Sequence, residues 1–115
     1  MTKRVVFLHA LVAAVLVLAL PAMGYPLTIA GAVKQAYGSK HVKITTICKK
    51  DFERHLYALV AVKIPNGKTS TLALQFINTA GWFAMWKDNK VLPGVPASER
   101  AAVRSDMNTL RAKCA

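Results

Sequence analysis

The sequence predicts an α+β fold: a small antiparallel sheet of three to four strands in meander order, covered by an N-terminal and a C-terminal helix, with one disulfide. Three observations predict it. Residues 55–87 hold apolar residues at every second position, in runs separated by turn residues, the period of strands. Residues 27–37 and 96–114 show helical spacing instead. The two cysteines, Cys48 and Cys114, each fall on the apolar side of their own element.

Leu27–Tyr37 is the first helix, with Ile29, Val33, Ala36 and Tyr37 at helical spacing and Gly38 placed to end it. His41–Lys49 reads as the first strand, with Val42, Ile44, Thr46 and Cys48 on the core face. Lys50–Arg54 reads as a charged turn. Leu56, Ala58, Val60, Val62 and Ile64 alternate along the second strand, and Leu72, Leu74 and Phe76 along the third. Pro65-Asn66-Gly67-Lys68 joins them, and Asn-Gly between alternating runs marks a hairpin because a tight turn requires positive φ. After Thr79-Ala80-Gly81, Trp82–Lys87 forms a fourth strand, with Trp82, Ala84 and Trp86 on one face and Phe83, Met85 and Lys87 on the other. Asp88–Val95 holds Pro93 and Gly94 and reads as a loop. Pro96 opens the last helix, where its missing N–H costs nothing. Val103, Met107, Leu110 and Cys114 form its apolar stripe. Strands in sequence joined by short turns make a meander, and the helices are expected to cover one face. The layout resembles helix-on-sheet secreted domains such as the cystatin-like folds. The Gln-x-Val-x-Gly signature is absent, and the likeness extends to architecture alone.

The N-terminus is expected to be a signal peptide, residues 1–24, ahead of one small domain, residues 25–115. Lys3 and Arg4 precede Val5–Leu20, in which His9 is the only polar residue, and Ala22-Met23-Gly24 supplies a small-residue cleavage site. The expected location is the periplasm or the medium, with membrane contact limited to the signal segment or a peripheral association. Two cysteines in an exported chain read as a disulfide. Cys48–Cys114 would close a loop of about 66 residues.

Catalysis finds little support. The acids beyond the leader, Asp51, Glu53, Asp88, Glu99 and Asp106, fall in turns or on the exposed face of the last helix. His41 and His55 lack zinc-type spacing, and there is no phosphate-binding glycine loop. No metal, cofactor or enzymatic activity is expected. Charge says more. Lys and Arg number 16 against 5 acids, a formal charge of +11, and only Lys3 and Arg4 belong to the leader. Arg100, Arg104 and Arg111 share one side of the last helix within about 40°. Lysines at strand edges protect against aggregation. Beyond that role they suit contact with something anionic. Nucleic acid is not expected, for lack of a recognition motif and by compartment. The expected function is therefore a non-catalytic exported binding protein of inhibitor, immunity or accessory-subunit type. Its partner is a protein with an acidic surface, met by Trp82 and Trp86 as apolar anchors and by the three arginines. The alternative is an envelope-associated module that binds anionic lipid or cell-wall polymer.

Overall fold

A computed structural model describes residues 24–38 and 41–115. All but the last residue of the expected signal peptide lie outside these. Thr28 opens the first helix, α1 (Ile29–Tyr37): its Oγ1 accepts the Gly31 N–H at 2.9 Å, satisfying a donor that the first helical turn leaves without a carbonyl. Five strands follow, β1 (Lys43–Phe52), β2 (His55–Lys63), β3 (Thr69–Ile77), β4 (Gly81–Lys87) and the two-residue β5 (Lys90–Val91). They lie in the order β1-β2-β3-β4-β5, every neighbouring pair antiparallel. A 3₁₀ turn, Ala97–Glu99, leads into α2 (Arg100–Cys114). The helix–meander–helix layout and the Cys48–Cys114 bridge match the expected fold. β5 falls within the expected loop Asp88–Val95, since two residues are too few to show a period.

Turn chemistry sets the register. Gly67 N–H donates to Ile64 C=O at 2.8 Å, Ile64 N–H to Lys68 C=O at 3.0 Å, and Lys68 N–H to Asn66 Oδ1 at 2.8 Å. Gly67 takes φ 89°, the positive value that closes a three-residue hairpin loop. Between β1 and β2 the turn is tighter. Phe52 pairs with His55, and Glu53 and Arg54 are both left-handed at φ 52° and 66°.

The helices lie on opposite faces, which corrects the one-face expectation. α1 covers Ala58, Val60, Val62, Leu72, Leu74 and Trp82 with Ala32, Val33 and Tyr37. α2 covers Tyr57, Ala73, Met85, Trp86 and Val91 with Val103, Met107 and Leu110. The alternation in β2 suggested one buried face, yet Tyr57 and Ala73 are as fully buried as Val60 and Leu72. A residue's own strand records its parity, while coverage of each face depends on where the helices return.

Two register shifts re-sort the side chains. One lies between Ile44 and Thr46 of β1. Val42 and Ile44 pack toward α1, whereas Cys48 crosses to the α2 face. An inserted residue exchanges the faces of everything beyond it, and here that brings Cys48 to Cys114. The second lies where Ala73 and Leu74 meet β4, opposite Trp86 and Ala84. Trp82 and Ala84 therefore pack with α1, and Trp86 packs with α2. The expected common face for Trp82, Ala84 and Trp86 does not form.

Candidate binding surface

The three arginines of α2 have separate employments. Arg100 donates from its guanidinium to the carbonyls of Val95 and Val91 at 3.3 and 3.2 Å, fastening the approach to α2 onto β5. Arg111 lies over the Trp86 ring, 5.3 Å from its centroid, a cation–π placement. Arg104 is exposed. The helical spacing put all three on one side, but one of them already serves the fold.

Both tryptophans are core residues, 7% and 8% exposed. Trp82 stacks obliquely on Phe76, with ring centroids 5.2 Å apart. They offer a partner less than a tenth of their surface, so the expected pair of apolar anchors is not presented. Each face of the sheet has its own helix, and each indole fills the space beneath one. Among the described residues, the large apolar side chains that do face solvent are Leu27, just before α1, and Ile47 in β1.

One buried carboxylate escaped the sequence reading, which placed every acid in a turn or on an exposed helix face. Asp106 is 6% exposed and accepts the Tyr57 hydroxyl at 3.0 Å. Tyr57 stacks on Phe52 at 4.2 Å and meets the His55 ring edge-on at 6.2 Å. The signal was present. Val103, Asp106, Met107 and Leu110 are spaced three, one and three, so Asp106 sits within the apolar stripe. A second chain of polar contacts pins α1. Tyr37 Oη and Ser70 Oγ are 2.6 Å apart, Ser70 Oγ donates to Asp88 Oδ1 at 2.8 Å, and Lys87 Nζ donates to the Ala36 carbonyl at 3.3 Å while lying over the Tyr37 ring. Burial pushes the Tyr37 hydroxyl above its ordinary pKa, the Asp88 carboxylate adds to this, and the Ser70 hydrogen bond opposes it. Burial also raises Tyr25.

Among the described residues no group of three His, Cys, Asp or Glu side chains could hold a metal ion, and no helix is long and apolar enough to cross a membrane. Both cysteines are in the bridge, so neither is available as a thiolate nucleophile. The disulfide marks an oxidising compartment. Lys43, Lys49, Lys50, Lys63, Lys68, Lys90, Arg104, Arg111 and Lys113 are exposed. Lys43 and Lys63 face each other directly across β1 and β2, a pairing that the sheet itself disfavours. No protein-family model matches the chain, and neither a curated protein nor a solved structure is similar enough to count as a match.

Proposed function

We propose that this chain is an exported, disulfide-clamped binding protein without catalytic activity, and that its partner is a protein with an acidic surface, as for an inhibitor, immunity or accessory subunit. The leader-like N-terminus and the disulfide support export to the periplasm or medium. The observation that carries the partner class is the surplus of exposed cations. Among the described acids, Asp106 is turned inward to Tyr57, and the exposed Asp51, Glu53 and Asp88 are outnumbered by the exposed lysines and arginines, leaving the outer surface positive. Such a field steers an acidic partner and accelerates encounter.

Burial of both indoles favours a second reading, because charge without an aromatic centre also suits anionic lipid or cell-wall polymer. One experiment separates the two. The oxidised protein is immobilised and exposed to its own cell envelope and culture fluid, then eluted with a salt gradient. A single protein retained beyond about 0.5 M salt supports the protein-partner reading, since exposed charge pairs are largely screened there. Diffuse acidic material released at low salt, with cosedimentation on anionic but not neutral vesicles, supports the second reading and ends the first.

A further inference from the structure

The two edges of the sheet are built differently. At one edge β5 is two residues long, and the Val91 carbonyl is taken by the Arg100 guanidinium. At the other, β1 runs for ten residues and pairs, among the described residues, with β2 alone. An antiparallel strand turns the N–H and C=O of every second residue away from its one neighbour. β1 therefore carries an open ladder, and β5 does not. The register shift between Ile44 and Thr46 interrupts that ladder near its start, which leaves Thr46–Phe52 as the regular stretch.

The side chains along this stretch define what fits there. Ile47, 46% exposed, is the one large apolar strand residue among the described residues that faces solvent. Lys49 and then Asp51 follow it on the α1 face, and Lys50 lies on the α2 face, all three exposed. Phe52 lies beneath the Lys113 ammonium at 6.0 Å. Cys48, in the middle, is tied to Cys114 of α2. The edge is held before anything arrives, so a guest strand need not order it. Lysine on an edge is also how sheets avoid pairing with copies of themselves. Lys49 and Lys50, with Lys113 beside Phe52, outnumber Asp51 along this edge, so a strand with carboxylates opposite the two lysines meets opposite charge there. That surplus of lysine favours an acidic guest.

We infer that Thr46–Phe52 is a strand-addition site, where an extended acidic segment of the partner protein pairs with the outer edge of β1. Its carboxylates meet Lys49 and Lys50, and an aliphatic side chain covers Ile47. The inference rests on the acidic-partner reading above and names the surface and the chemistry of the contact.

The test uses the oxidised full protein and a labelled, end-capped peptide, Ser-Glu-Glu-Thr-Val-Thr, read by fluorescence anisotropy and by amide exchange of β1. Two control peptides accompany it, one with lysine in place of glutamate and one N-methylated at alternate backbone nitrogens. The expected result is binding of the glutamate peptide, weakened about tenfold or more by either change, with slowed exchange at Ile47 and Lys49. Equal affinity of the N-methylated peptide overturns strand addition while leaving the acidic-partner reading standing, because charge alone then suffices. Equal affinity of the lysine peptide overturns both. No binding of the glutamate peptide up to about 1 mM overturns the site, and the envelope retention experiment judges the broader reading independently. A dimer in sedimentation that Ile47→Lys disperses also overturns it, by giving the edge to a second copy.

Discussion

Gly81→Ala isolates a close backbone approach from the cost of positive φ. Gly81 opens β4 at φ 116°, and a Cβ built there would lie 2.5 Å from both the Tyr25 and Pro26 carbonyl oxygens. Those oxygens belong to a short segment that delivers α1 to the sheet. Tyr25 N–H donates to Ala80 C=O at 2.9 Å and Trp82 N–H to Pro26 C=O at 2.8 Å. Neither carbonyl can yield without lengthening these bonds. Alanine thus incurs about 1 kcal/mol for the left-handed backbone, and roughly 1 kcal/mol for each bond lost, about 3 kcal/mol together. Gly67→Ala is the control, since Gly67 has φ 89° and nothing within 4 Å of its Cβ position. It should cost about 1 kcal/mol alone. Urea unfolding followed by tryptophan fluorescence measures both, and amide exchange at Trp82 should accelerate only in Gly81→Ala. Equal destabilisation by the two substitutions would refute the reasoning.

Reducing the disulfide, or replacing Cys48 and Cys114 with alanine, opens a loop of sequence separation 66. The chain-entropy argument gives a loss of about 4 kcal/mol, a large part of the roughly 5–15 kcal/mol typical of folded proteins; a loss under about 1 kcal/mol in urea unfolding contradicts it. The β1–β2 turn should improve under Glu53→Asn with Arg54→Gly, since both positions are left-handed. The expected gain is about 1–2 kcal/mol, and a lower unfolding midpoint would show that the turn carries no such strain. Alkaline pH should destabilise the fold through Tyr37, whose folded pKa is raised. Below the ordinary tyrosine value of 10.0 both states keep the proton. Above it the unfolded chain ionises first, so stability falls as pH rises toward the folded value. Tyr37→Phe should flatten that decline in pH-dependent unfolding, and an unchanged slope would remove Tyr37 as its cause.

The candidate surface was legible in part. Arg104 and the strand lysines other than Lys87, which is half-buried against α1, are exposed, as their positions in the pattern suggested. Arg100 was misread because its carbonyl partners, Val91 and Val95, belong to a stretch without periodicity. Trp82 and Trp86 were ambiguous for a different reason. A strand apolar at every position is equally consistent with two covered faces or with one covered face and one open, and only the placement of the helices decides between them. Ile47 shows the converse. It reads in sequence as a residue on the far side of the core, whereas the shift before Thr46 pairs it with Val60 on the α1 face, where it remains partly open to solvent.

What the sequence determined by itself is local. Alternation at two residues specifies strands, spacing at three and four specifies helices, Asn66-Gly67 specifies a hairpin, and two cysteines, which allow one intramolecular pairing, specify the bridge. Each signal arises between residues close along the chain, where backbone geometry leaves few choices. The tertiary structure decided which face each helix covers and which side of the sheet each residue occupies beyond a bulge. It also decided which strand edge remains open. A bulge exchanges both faces of a strand at the cost of one unpaired residue, and packing of the whole sheet against two helices, rather than any local preference, determines where that exchange falls.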